Sequence, residues 1–82
     1  MNTAVPASGN LIEVMDAALN ERERLVIESR FGIYGDRLTL RELGVRFGVS
    51  RNRIREIEAR ALRKMRDRLK KLAALEIAEA LP

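Results

Sequence analysis

The chain has no cysteine, no histidine and no tryptophan. The first absence excludes disulfides, and the first two remove the thiolate and imidazole ligands that most zinc sites use. The same absences rule out Cys–His and Ser–His–Asp nucleophilic catalysis. The carboxylates are spread along the chain with no convergent acid–base pair, so neither an enzyme nor a bound metal or cofactor is expected. Aromatic residues make up only 4%, two phenylalanines and a tyrosine, so aliphatic side chains must fill any core. No apolar stretch approaches the roughly 18 residues of a membrane span. No charged segment leading into an apolar run opens the chain, so no secretory signal is read there.

What the chain does have is charge, unevenly placed. Its 82 residues suit one domain, and 46% hydrophobic with 34% charged residues suit a small helical one. The net charge is only +4. Residues 1–40 carry four basic and six acidic side chains, residues 41–71 carry twelve and four, and residues 72–82 carry none and two. One 31-residue segment thus holds +8 between two segments of −2 each. Such a concentration attracts a polyanion, nucleic acid before an anionic membrane or an acidic protein. A basic amphipathic membrane helix over residues 62–81 is disfavoured, because its second half is acidic and free of Lys and Arg.

Residues 1–10 are small and polar, with Pro6 and Gly9, and read as a disordered lead-in. Apolar residues at 11, 12, 14, 15, 18 and 19 have helical spacing, with Asn10 available as a cap. Asn20-Glu21-Arg22-Glu23 resembles a capping box and opens a second helix, whose apolar face is expected from Leu25, Val26, Ile27 and Phe31. Gly32 stops it, and residues 32–38 form a loop. Thr39-Leu40-Arg41-Glu42 is a full capping box, so a third helix starts at Leu40 and buries Leu40, Leu43 and Phe47 before Gly48 ends it. Ser50 caps a fourth helix with Ile54, Ile57, Ala61 and Met65 on one face and Leu62 and Leu69 beside them. Nothing breaks this helix before Leu72, and residues 73–82 read as a helical extension or a loose tail.

The expected fold is therefore all-α: about four helices over residues 11–72, with a helix-turn-helix spanning roughly Thr39 to Leu72 and a long C-terminal recognition helix. Stepping about 100° per residue from Ile54 puts Ile57, Ala61 and Met65 within about 60° of it. Asn52, Arg55, Glu56, Ala59, Arg63 and Arg66 fall on the opposite half. The outward face is cationic, with polar side chains at its N-terminal end that can read base edges. Arg51, Arg53 and Arg55 at that end oppose the helix dipole, which argues for a functional reason. Asn52 suits base contact or a plain surface role. Glu56 suits either an intrahelical pair with Arg60 or acceptance of a hydrogen bond from a cytosine amino group. Arg60, Arg63, Lys64, Arg66, Arg68, Lys70 and Lys71 suit phosphates or the general field.

The run from Leu19-Asn-Glu-Arg-Glu-Arg through Arg30-Phe-Gly-Ile and Leu38-Thr-Leu-Arg-Glu-Leu-Gly-Val-Arg-Phe-Gly-Val-Ser-Arg-Asn-Arg-Ile-Arg-Glu-Ile to Arg66 resembles region 4 of bacterial RNA polymerase sigma factors of the housekeeping type. It covers about 48 of the 82 residues, and the stretch from Val49 to Arg66 is the most specific part. The resemblance implies a cytoplasmic transcription-initiation domain that binds the double-stranded promoter −35 element and docks on the flap of the polymerase β subunit. By that resemblance Arg51, Asn52 and Glu56 match base-reading positions, and Arg53 and Arg55 match positions near the DNA backbone. Arg55 is also expected to read a base, and Thr39, Arg41, Ser50, Arg60 and Arg63 to meet the backbone. Arg55, Arg60, Arg63 and Arg66 match positions that also meet upstream activators. The helices between Leu11 and Phe47 would hold the flap.

The sequence departs from the family pattern at Asn52 and Glu56, where a glutamate and then a glutamine are usual, so the base preference is open. The segment that reads the −10 element does not fit in this length. The chain is thus expected to be a fragment of a longer sigma factor or a free-standing relative acting beside a second sigma-type subunit. The main alternative is a regulator that works chiefly by protein contacts with polymerase or another transcription factor. A response-regulator type of helix-turn-helix is echoed only by Leu19-Asn-Glu-Arg-Glu and not by the recognition helix.

Overall fold

The computed structural model of the protein describes residues 10–81. The expected lead-in falls almost wholly on residues 1–9, outside the described part. Four helices follow: α1 (Leu11–Ala18), α2 (Glu21–Phe31), α3 (Leu40–Phe47) and α4 (Arg51–Ala80). No strand occurs among the described residues.

Each helix starts where a side chain can satisfy its free N–H groups. Asn10, Asn20 and Thr39 each close a reciprocal capping box, with Glu13, Glu23 and Glu42 at the third helical position. The box at Asn10 was not anticipated beyond the cap itself. Ser50 Oγ accepts from the Arg53 N–H at 3.0 Å to start α4. The two middle helices end on glycines in the left-handed region, Gly32 at φ 64° and Gly48 at φ 68°, where a side chain would be strained.

The core is a column of side chains laid along α4. Its lower part gathers Val14, Met15, Ile27, Ala61 and Met65, with Leu19, Ile33, Leu69 and Leu72 packed at the margin. Its upper part gathers Val26, Leu43, Ile54 and Ile57, with Leu38, Leu40, Phe47 and Val49 around them. The stripe expected on α4 is the one that is buried, although Leu62 lies at the exposed edge of it.

The face of α2 differs from expectation. Val26 and Ile27 are buried, but Leu25 is 38% and Phe31 50% exposed. The reason is that α2 turns positions 23, 26 and 27 toward the core, and these include the buried carboxylate Glu23. On α3 only Leu43 of the expected trio is fully buried; Leu40 and Phe47 are half-buried. The Arg22 guanidinium covers the Phe47 ring at 5.4 Å from its centroid.

The connection between α2 and α3 is tied down rather than free. The Leu38 N–H donates to the Ser29 carbonyl at 2.9 Å, and Arg30 Nη1 donates to the Leu38 carbonyl at 3.1 Å. Arg30 Nε also reaches Glu58 of α4 at 3.3 Å, so one arginine pins the end of α2, the loop and α4 together.

Beyond Leu72 the helix continues to Ala80, carried by alanine-rich sequence of high helix propensity. Leu75, Ile77 and Leu81 are exposed there.

The turn between α3 and α4 depends on Gly44. A Cβ at this buried position would sit 2.7 Å from the Val49 carbonyl oxygen and 3.4 Å from Arg51 N. The Val49 N–H in turn donates to the Gly44 carbonyl at 2.9 Å, so the contact is the turn itself. Gly44→Ala is therefore expected to lower stability by about 1–3 kcal/mol through overpacking. Gly35→Ala meets nothing within 4 Å and should stay within about 0.5 kcal/mol of the parent. Urea unfolding of the two variants makes the comparison; equal midpoints would refute the close approach.

Candidate nucleic-acid interface

The turn at Gly48 and Val49 sets α4 against α3 and leaves the first turns of α4 in solvent. Arg51, Asn52, Arg53, Arg55 and Glu56 are all exposed. There is no acidic residue in the first turn of α4 to complement the helix dipole. The free N–H groups and the arginines therefore add to one positive end, which suits an anion.

All of these side chains but Arg51 pair with one another. Arg55 Nη2 donates to Asn52 Oδ1 at 2.6 Å. Arg53 Nη1 donates to Glu56 Oε1 at 3.3 Å. Two interleaved pairs, each spanning three residues, thus occupy the head of the helix. Of the two roles open to Glu56, the pair with Arg60 is not formed: Arg53 takes that place. Arg60 instead lies beside a shallow cavity at the start of α2 that is also lined by Asn20, Arg22, Glu23, Arg53 and Ile57. Its charge is one of those that lower the Glu23 carboxyl pKa.

The remaining expected contacts lie on two helices. Arg41 is exposed on α3, and Arg63 and Arg66 are exposed further down α4. Among the described residues, the side chains of Arg41, Arg51, Arg60, Arg63 and Arg66 make no hydrogen bond or ion pair. Thr39 and Ser50 act as helix caps, their hydroxyl oxygens accepting from Glu42 N at 3.0 Å and Arg53 N at 3.0 Å. Each hydroxyl still keeps its own hydrogen to donate outward.

Lys64 does not belong to the outward field assigned to it from the sequence. Its ammonium lies 2.8 Å from Glu23 Oε2. Glu23 is only 4% exposed, and its other oxygen accepts from the Asn20 backbone N–H at 3.0 Å. This carboxylate is at once the capping partner of α2 and the ionic bolt between α2 and α4. Its pairing with Lys64, 41 residues away, has no local sequence signal. Arg22 and Arg30 were likewise not singled out, because their partners Phe47 and Glu58 lie on other helices.

Among the described residues, no group of three or more Asp or Glu side chains gathers as a metal cluster would require, and no helix is long and apolar enough to cross a membrane.

With this geometry in view, comparison with known proteins gives one family. Residues 17–67 match the family described as sigma-70, region 4. The chain belongs to the sigma-70 region 4 family. It is 55% identical over 51 residues to RNA polymerase sigma factor SigA4 of Synechococcus elongatus, a match covering 61% of this chain and 16% of that protein. It is 54% identical over 57 residues to RNA polymerase sigma factor SigA of a Bacillus species, covering 68% of this chain and 15% of that protein. The chain thus corresponds to roughly a sixth of the length of each relative. No solved structure matches it. The region 4 match takes in all of α2 and α3 and α4 as far as Asp67. It leaves out most of α1 and the protruding end of α4.

The bolt of region 4 predicts a pH response. Burial pushes the Glu23 carboxyl up, but the Lys64 hydrogen bond, the Asn20 backbone bond and the charges of Lys64 and Arg60 outweigh it and hold it below the usual carboxylate range. A carboxyl depressed in the folded state stabilises fully above its unfolded pKa and loses that contribution as pH falls through the folded value. Glu23→Gln keeps the capping oxygen and removes the charge. Lys64 is 42% exposed and can turn into water, so the cost at neutral pH should be about 1 kcal/mol rather than that of a fully buried pair. Chemical denaturation from pH 7 to pH 3 should show this gap closing as pH falls; a gap constant with pH would remove the bolt from the account.

Proposed function

We propose that this chain reads the −35 element of a bacterial promoter as double-stranded DNA and docks on the β-subunit flap of RNA polymerase during transcription initiation. The observation that carries the reading is the exposed, cationic head of α4, held outward by the α3–α4 turn in a chain of the region 4 family. In this reading Arg51, Asn52, Arg55 and Glu56 enter the major groove, since a recognition helix presents its N-terminal residues to base edges. Thr39, Arg41, Ser50, Arg53, Arg60 and Arg63 meet phosphates on either side. The hydroxyl hydrogens of the two caps and the unpaired guanidinium groups are suited to that task. Arg55, Arg60, Arg63 and Arg66 form the row offered to an upstream activator. The flap would be met by α1 to α3, whose outward Leu25, Phe31 and Val45 leave apolar surface away from the α4 face. The chain would act in the cytoplasm, as the corresponding part of a sigma factor or beside a second sigma-type subunit.

A second reading has its own support. Asn52 and Glu56, which depart from the family pattern, are both engaged with arginines of the same helix. A regulator that binds polymerase or another transcription factor mainly through protein contacts would need no base specificity from them.

Fluorescence anisotropy with a −35 duplex and a scrambled duplex separates the two. A promoter reader prefers the −35 duplex at moderate salt, and Arg51→Ala weakens that binding by about 1–3 kcal/mol. Four arginines on phosphates (Arg41, Arg53, Arg60 and Arg63) predict a slope of about −3 to −4 for log affinity against log salt. Equal binding to both duplexes together with tight binding to the isolated flap would select the regulator.

A further inference from the structure

The short bond between Asn52 and Arg55 gives these two residues different tasks. We propose that Asn52 does not read a base itself but is a positioning residue for Arg55, and that the pair as a unit selects guanine. The inference rests on the DNA-reading function proposed above and deepens it by naming the base.

The donor identity fixes the geometry. A guanidinium has only N–H donors, so the Asn52 atom 2.6 Å from Arg55 Nη2 is the carbonyl oxygen, and the amide nitrogen lies on the other side. A charge-assisted bond of this length is stronger than a neutral one. It also spans one helical turn between two exposed residues, so no packing forces it.

Two consequences follow for recognition. An asparagine reads adenine by accepting from N6 with its carbonyl while donating to N7 with its amide. Here one acceptor site of the carbonyl is taken by a cation, and that bond fixes which way the amide faces, so the adenine pattern is open to Asn52 only in the orientation that Arg55 imposes. Arg55, by contrast, spends one N–H on Asn52 and keeps four. Two parallel donors are all that guanine O6 and N7 require. Fixing one end of a long, flexible side chain also lowers the entropy lost when it meets the base. The neighbouring Arg53–Glu56 bond is longer, at 3.3 Å, and does not compete for either partner.

The test uses the whole chain and has a readout that needs no DNA. In 15N NMR of the free protein, the Arg55 side-chain N–H signals should be resolved and slow to exchange, lost in Asn52→Ala and kept in Asn52→Asp, whose carboxylate accepts the same bond. Selection from a duplex library randomised across the −35 site then gives base preferences for the parent, Asn52→Ala, Asn52→Asp and Arg55→Ala. The parent should favour guanine at one base pair by about 5–100-fold, the range of one bidentate contact. Asn52→Ala should lose most of that preference, and at the same base pair. Asn52→Asp should restore the preference, and Arg55→Ala should lose both preference and general affinity. If Asn52→Ala alters a different base pair from Arg55→Ala, or leaves the preference intact, the positioning role is wrong. If the NMR signature is present but the parent shows no preference at any position, the DNA-reading function itself fails and the guanine assignment falls with it. Far-UV circular dichroism confirms that each variant is folded.

Discussion

Three of the four helices here have 8, 11 and 8 residues, lengths at which an isolated helix does not persist in water. All three meet the same row on α4: Ile54, Ile57, Ala61 and Met65. That row is the constraint from which the rest of the molecule follows. It has room for α1 at one end and α3 at the other, with α2 contributing Ile27 to the first and Val26 to the second, so the core is a column rather than a ball. Because the row takes up one side of α4, the opposite side of the same helix is the continuous surface left for a ligand. The charges segregate accordingly, with most of the cations of α4 on the side that does not pack.

Electrostatics set the second condition. A helix that begins with arginines at 51, 53 and 55 has its own dipole against it. In the free protein part of that conflict is relieved locally, by the Asn52 carbonyl on Arg55 and the Glu56 carboxylate on Arg53. Deeper in, the same logic appears with opposite sign. Glu23 would be costly to bury alone, yet a lysine, a backbone N–H and a nearby arginine keep it ionised. The domain thus keeps its buried negative charge matched and leaves several of its surface positive charges unmatched.

The elements with local causes were legible in the sequence. Capping residues at Asn20, Thr39 and Ser50, stop signals at Gly32 and Gly48, and the 3.6-residue period of α4 all act within a few residues of themselves. The buried and exposed faces of α4 could therefore be drawn from the period alone. What escaped was what depends on a second helix. Nothing near Lys64 says that it leaves the outward field to meet Glu23, and nothing near Phe31 says that α2 turns it away from the core. Gly44 reads as an ordinary, slightly unfavourable helical glycine until the Val49 carbonyl is seen against it. Glu56 has an arginine within one turn on either side, and it meets Arg53 rather than Arg60.

That the proposed DNA-facing helix and the structural spine are one uninterrupted rod of about 45 Å bears on how such a domain can change over time. A recognition helix held on a hinge could alter its target by altering its docking angle. Here the angle cannot move without dismantling the column beneath it. New specificity must therefore arrive by exchanging side chains on a fixed platform. The positions proposed to set it, 51, 52, 55 and 56, are exposed and give no side chain to the core. Target choice and foldedness are thus nearly independent traits, and the departures at Asn52 and Glu56 are of the kind that such independence makes cheap to explore.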